Sequence, residues 1–276
     1  MLGAIIGDIA GSRFEFNNTK NKDFDFFNEY CDFTDDSVLT VAVAKTLMVC
    51  GHGATEQKIY DTAIRYLLQL GKRYPHPLGS YGSGFQNWLD SENPKPYNSC
   101  GNGAGMRISP VGFFAKTEDE LKLYSKAITE TTHNHPEGIK GAEAVALSIF
   151  LAKNGATKKE IKDRIVKDYY PEIATEKCSY EFMHENYGWG YNGNGALAQN
   201  STPQAIACFL LSENFEDAIR TAVSIGGDSD TIAAMTGGIA EAFYGIPIDL
   251  EIQAYKYMSH EFTRILKYFR SSISKN

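Results

Sequence analysis

Leu2-Gly3-Ala4-Ile5-Ile6-Gly7-Asp8-Ile9-Ala10-Gly11 is apolar apart from Asp8 and carries a glycine at every fourth position. In a helix that spacing puts Gly3, Gly7 and Gly11 on one face with Ala10 beside them, a stripe without side chains. The pattern predicts a helix over residues 2–13. Glycine inside a helix costs roughly 1 kcal/mol relative to alanine, so three of them need a reason. Close approach of another helix supplies one, and a ligand lying on the stripe would supply another.

Working outward, the same periodicity recurs along the chain. Thr34 or Asp35 caps a run through Val38, Leu39, Ala42, Val43 and Leu47 that stops near Cys50. Thr55 starts a helix ending at Gly71. A short helix fits around Phe85, Trp88 and Leu89, within a proline- and glycine-rich stretch over 74–105. Thr117 with Glu120 and Thr157 with Glu160 are capping-box signatures. His135-Pro136-Glu137 opens an alanine-rich helix, and the Thr157 helix ends before Pro171. Ser201-Thr202-Pro203-Gln204 reads as a further start, with proline in the first turn. Asn214 begins another helix, a helix follows over 232–244, and residues 250–271 are amphipathic. No alternating run bounded by hairpin turns occurs, and neither βαβ alternation nor a repeat is present. The expectation is all-α: one domain over 1–276, a compact orthogonal bundle of many short helices.

The chain has 276 residues, 43% of them hydrophobic and 22% charged, which is globular composition. A net charge of −7 argues against a protein that holds polyanions mainly by a basic surface. Five widely spaced cysteines without a CxxC pair offer no zinc framework and suggest reduced thiols. With no signal peptide or membrane span legible, the expected location is the cytoplasm and no membrane partner is expected.

Two acidic stretches stand out. Phe33-Thr34-Asp35-Asp36-Ser37 and Gly226-Gly227-Asp228-Ser229-Asp230-Thr231 each lead into a helical run. Helix caps explain Thr34-Asp35-Asp36 equally well, because Thr and Asp are preferred there and acids suit a helix N-terminus. Together the stretches offer four carboxylates and two hydroxyls, hard oxygen ligands suited to Mg²⁺, Mn²⁺ or Ca²⁺. Four negative charges in one pocket would otherwise repel or take up protons, so two cations are plausible there. Nothing has EF-hand spacing.

Asn98-Ser99-Cys100-Gly101-Asn102-Gly103-Ala104-Gly105-Met106-Arg107 is a glycine-rich loop before a helix, a pattern that suits phosphate but equally a plain tight turn. It lacks the P-loop signature and does not follow a strand. Thr132-His133-Asn134-His135-Pro136 reads, by itself, as a cap with surface imidazoles. Residues 15–33 are polar, then aromatic, as in a loop lying over something, a candidate lid. Cys100 has no assignable base and is not read as a nucleophile.

In order, Gly7-Asp8-Ile9-Ala10-Gly11 with Glu15, then Phe33-Thr34-Asp35-Asp36-Ser37, Gly101-Asn102-Gly103-Ala104-Gly105-Met106-Arg107, Thr132-His133-Asn134-His135-Pro136 and the second acidic turn resemble the ADP-ribosylglycohydrolase family, which includes the dinitrogenase-reductase-activating glycohydrolases. The resemblance implies an all-α fold around a central cleft with two Mg²⁺ ions, Mn²⁺ being the alternative. It implies Thr34, Asp35, Asp36, Asp228, Asp230 and Thr231 as metal ligands and Glu15, Asp35 and Asp36 as the catalytic acids, Glu15 on a mobile segment. Ser99, Gly101, Asn102 and Gly103 would cradle the diphosphate, with Met106 and His133 also at the substrate.

The implied activity is cleavage of the bond between ADP-ribose and an acceptor: arginine on a protein first, with serine, a small molecule or nucleic acid as other acceptors. Residues 75–96 and 187–195 depart from the resemblance, and both are loops of the kind that shape acceptor recognition. A metal-dependent phosphohydrolase of a nucleotide pyrophosphate and a non-catalytic ADP-ribose-binding protein are the competing readings.

Overall fold

The computed structural model describes residues 1–274, so the last two positions of the expected 1–276 domain lie outside the described residues. Helices make the architecture: α1 (Leu2–Ser12), α2 (Asp35–Cys50), α3 (Glu56–Arg73), α4 (Ser83–Asp90) and α5 (Ser109–Phe114) come first. Then follow α6 (Glu118–Thr129), α7 (Pro136–Lys153), α8 (Lys158–Asp168), α9 (Tyr180–Asn186) and α10 (Ala198–Leu211). The chain closes with α11 (Phe215–Ser224), α12 (Ser229–Tyr244), α13 (Ile248–Ala254) and α14 (His260–Ser274). Among the described residues there is no strand, only isolated bridges joining Thr34 to Leu78 and Gly101 to Leu197. The fold is all-α.

The packing centres on α12. Every residue from Ser229 to Ala240 is buried, and the helix touches α1, α2, α5, α7, α10 and α11. Its tightest neighbour is α1, and the glycine stripe explains why. A Cβ at Gly7 would overlap the carbonyl of Ala233, one at Gly3 would overlap Gly237, and one at Gly11 would lie 2.6 Å from the Cα of Asp230. Helix packing, not a ligand, fills the stripe. The backbones approach closely enough to fix where each helix delivers its acids.

Local signals set most boundaries. The hydroxyls of Thr34, Thr55, Thr117 and Thr157 and the side chain of Asn214 each accept a first-turn N–H, a cap worth about 1 kcal/mol. Thr157 and Glu160 complete a reciprocal capping box. Thr117 and Glu120 form half of one: the Glu120 carboxylate turns instead to the Lys116 N–H at 2.8 Å and to His52 at 2.7 Å.

One expectation needs correction. α10 starts at Ala198, so Pro203 sits inside the helix and not in its first turn. Pairing with the glycine loop begins the helix early: the Ala198 N–H donates to the Cys100 carbonyl and the Asn102 N–H to the Ala196 carbonyl, both at 2.9 Å. That tertiary pairing outweighs the helical bond a proline cannot make. The amphipathic tail is two helices, α13 and α14, with Ser259 accepting the Phe262 N–H at the start of the second. No described helix is long and apolar enough to cross a membrane. All five cysteines are free thiols.

Candidate active site

The N-termini of α2 and α12 meet at the floor of a cleft of about 550 Å³. Both helix dipoles point their positive ends there, which favours carboxylates in the first turns. Thr231, in the first turn of α12, donates its hydroxyl to Asp36 Oδ2 of α2 at 3.2 Å. Asp36 Oδ1 and Asp230 Oδ1 are buried and accept no hydrogen bond from the described residues. Buried anionic oxygens left without a donor are costly, and a cation is the partner such oxygens lack.

Asp8, to which no role was assigned from the sequence, organises this floor. It is fully buried on α1 and accepts from the Thr34 N–H (3.1 Å), the Thr34 hydroxyl (2.8 Å), the Ser37 N–H (3.0 Å) and the Ser37 hydroxyl. Those bonds tie α1 to the cap of α2. Burial still wins, pushing its pKa up to about 6.

Glu15, Asp228 and Asp230 bring one carboxylate oxygen each within 4.8 Å of one another. Burial, with Asp228 and Asp8 adding repulsion, raises Glu15 to about 8. Asp35, Asp36 and Asp230 are also held well above the usual carboxylate range, first by burial and then by their acidic neighbours. Such a cluster binds protons unless cations replace them. Its donors are all oxygen, the set that hard divalent ions prefer. The residues present therefore fit Mg²⁺ or Mn²⁺.

Glu15 approaches from the 15–33 segment, beneath Gly79, where a Cβ would lie 2.5 Å from Glu15 Oε2. Gly79 has a φ of +77°, so glycine is needed there both for backbone and for space. The segment is fastened. Asn18 exchanges two 2.8 Å hydrogen bonds with Gly227, one as donor to its carbonyl and one as acceptor from its N–H. Lys20 Nζ donates to the carbonyls of Ile225 (2.6 Å) and Tyr187 (3.0 Å). Trp189 Nε1 donates to the Glu15 carbonyl at 2.7 Å and its ring stacks on exposed Phe16. Residues 187–195, where the family resemblance was weakest, thus hold the Glu15 backbone from outside.

The opposite wall is the glycine loop. Gly101 N–H donates to Ser99 Oγ at 3.2 Å, and Asn102 Nδ2 donates to Asp228 Oδ2 at 2.7 Å, joining the loop to the acidic turn. Ser99, Gly101, Asn102, Gly103, Met106 and His133 all line the cleft with Glu15, Asp35, Asp36, Asp228, Asp230 and Thr231. Thr34 does not. It lies behind the acids, its hydroxyl occupied by Asp8 and by the Asp36 N–H.

The residues alone read as a cap with surface imidazoles, and His133 departs from that reading towards the substrate position the resemblance implied. His135 caps α7 by accepting the Glu137 N–H, whereas His133 is only 4% exposed. His133 lies against Thr132 and the glycine loop, and burial drives its pKa well below the usual value.

A family profile described as ADP-ribosylglycohydrolase matches residues 1–263. The ADP-ribosylhydrolase ARH3 of Xenopus tropicalis is 25% identical over 95% of this chain and 91% of its own length. The ADP-ribosylarginine hydrolase Tri1 of Pseudomonas putida (strain GB-1) is 23% identical over 89% of this chain and 70% of its own. Among solved structures, an ADP-ribosylglycohydrolase-related protein complex superposes with a TM-score of 0.63 at 21% identity, covering 93% of this chain and 95% of that one. At that identity the likeness is one of fold.

Proposed function

The chain belongs to the ADP-ribosylglycohydrolase family, and from that premise we propose that it is a metal-dependent hydrolase cleaving the glycosidic bond between ADP-ribose and an acceptor. The acceptor we favour is the guanidino nitrogen of a modified arginine on a protein, in keeping with a relative named ADP-ribosylarginine hydrolase. The whole of 1–276 is read as one domain of this kind, and its free thiols accord with a reducing, cytoplasmic setting.

The observation that carries the reading is the meeting, in one cleft, of an all-oxygen acid cluster containing orphaned Asp36 and Asp230 oxygens with the glycine loop. Asp35, Asp36, Asp228, Asp230 and Thr231 would hold two cations, Mg²⁺ before Mn²⁺, with Thr34 supporting them from behind. When bound, the cations supply positive charge for the ribose hydroxyls and for an attacking water.

The chain's own groups do the rest. The glycine loop is the wall on which the diphosphate would lie, its shape held by the Gly101 N–H on Ser99, the Asn102 N–H on the Ala196 carbonyl and Asn102 Nδ2 on Asp228. Met106 and His133 close the substrate wall. Departure of the acceptor leaves an oxocarbenium-like ribose that carboxylates stabilise. Glu15 and Asp35 both line the cleft, where their carboxylates can face substrate or water. Glu15, at the cleft beside Asp228 and Asp230, is placed to take a proton from water and return it to the leaving group.

The test is a panel of ADP-ribosylated arginine, serine and nucleic acid incubated with the protein and Mg²⁺. Fastest release from arginine is expected. No release of ADP-ribose from any linkage would sink the proposal.

A further inference from the structure

Arg107 ends the glycine loop and is 1% exposed, with no carboxylate among the described residues bonded to it. Its Nη2 donates to Thr132 Oγ1 at 2.6 Å, while Nε and Nη1 are buried without hydrogen-bond partners. The Phe85 ring lies 5.9 Å from its guanidinium carbon. Thr132 is fully buried, and its hydroxyl has one further neighbour, His133 Nδ1 at 2.7 Å. The other ring nitrogen looks the opposite way: a Cβ on Gly103 would lie 3.2 Å from His133 Nε2, and one on Gly101 3.9 Å away.

The direction of this chain follows from what each group can do. A guanidinium only donates, so Thr132 Oγ1 must accept from Arg107. The hydroxyl then has one hydrogen to give. Given to His133 Nδ1, it satisfies both groups and leaves the imidazole proton on Nε2. The reverse arrangement, with Nδ1–H donating to Thr132, strands a buried hydroxyl hydrogen with no acceptor, which is costly. The fixed charge of Arg107, added to burial, also keeps the ring from taking a second proton.

We propose that Arg107 and Thr132 are positioning residues that lock His133 as the neutral Nε2–H tautomer and aim that N–H across the glycine loop at the diphosphate. The locked tautomer stands on geometry alone; its role at the diphosphate rests on the function proposed above. Neither Arg107 nor Thr132 need touch the substrate. Each acts through the next, and the loop gains one side-chain donor held in a single orientation.

The experiment uses the full-length protein labelled with ¹⁵N-histidine, without ligand, with His133→Gln identifying the His133 signals among the six histidines. Long-range proton–nitrogen correlation is expected to show a protonated Nε2 and a bare Nδ1, unchanged from pH 5.5 to 8.5. Thr132→Val should mix the tautomers and weaken ADP-ribose binding about tenfold by calorimetry, the scale of one hydrogen bond to a charged group, and Thr132→Ser should restore both. A protonated Nδ1 in the unchanged protein overturns the relay, and this readout survives even if Thr132→Val fails to fold. A correct tautomer with undiminished ADP-ribose affinity in Thr132→Val overturns the role at the diphosphate. Failure of the unchanged protein to bind ADP-ribose overturns the functional reading while the tautomer result stands.

Discussion

Asp8 accepts hydrogen bonds from both the backbone N–H and the hydroxyl of Thr34, 26 positions further along, so the first helix holds the N-terminus of the second. With the two Ser37 donors it anchors the turn that presents Asp35 and Asp36 to the cleft. Asp8→Ala would strand those donors in a buried place. The expected loss is about 2–4 kcal/mol of stability in urea unfolding, together with weakened binding of Mg²⁺. An alanine variant as stable as the parent would show that the link bears no weight.

The contact between α1 and α12 gives a second prediction. Alanine normally stabilises a helix relative to glycine by roughly 1 kcal/mol. At Gly7 the sign should invert, because the added methyl would meet the Ala233 carbonyl. Gly7→Ala is expected to cost about 1–3 kcal/mol, the range for overpacked sites, measured by the same unfolding midpoints. A gain in stability would contradict the close approach of the two backbones.

Removing an acid from the floor should separate stability from activity. Asp36 and Asp230 are buried with raised pKa values and an unpartnered oxygen each. Asp230→Ala or Asp36→Ala should abolish hydrolysis while the helical circular dichroism remains. Without metal, Asp230→Asn should melt no lower than the parent, since it relieves repulsion, and it should lose the upward shift that Mg²⁺ gives the parent. Full activity in the alanine variants would refute the metal assignment.

Glu15 makes the metal-free protein sensitive to pH in a definite direction. Its folded pKa, about 8, lies above the usual 4.5, so the folded state binds the proton more tightly than the unfolded one. Its contribution is therefore most favourable below about pH 4.5 and is lost as pH rises towards 8. In EDTA, the melting temperature of Glu15→Gln relative to the parent should climb across that window. A difference that stays flat, or falls, would show that Glu15 is not held in an acidic, desolvated place.

Much of this was legible in the sequence because it is local. The 3.6-residue period and the threonine caps marked α2, α3 and α8, and the glycine stripe announced a close helix contact before its partner was known. The acids, the glycine loop and Glu15 were chosen by residue type and order, and the fold brings Glu15, Asp35, Asp36, Asp228 and Asp230 to one cleft. What was hidden depends on contacts between distant residues. Asp8 left one signal, a lone acid in an apolar helix, and its partners, Thr34 and Ser37, lie at the start of α2. By its residues alone, without the resemblance, His133 read as a surface imidazole, because nothing nearby in the chain shows that Thr132, Arg107 and the glycine loop enclose it. The early start of α10 comes from pairing with residues 100–102, almost a hundred positions away, which overrides the local proline signal.

The central claim is that cations held by the acid cluster drive cleavage at the ribose and leave the pyrophosphate intact. The most direct measurement is mass spectrometry of the products when the protein acts on ADP-ribosyl-arginine, with Mg²⁺ and with EDTA. Free arginine and intact ADP-ribose are expected with Mg²⁺ and neither with EDTA. AMP and ribose phosphate as products, or equal release of ADP-ribose in EDTA, would contradict it.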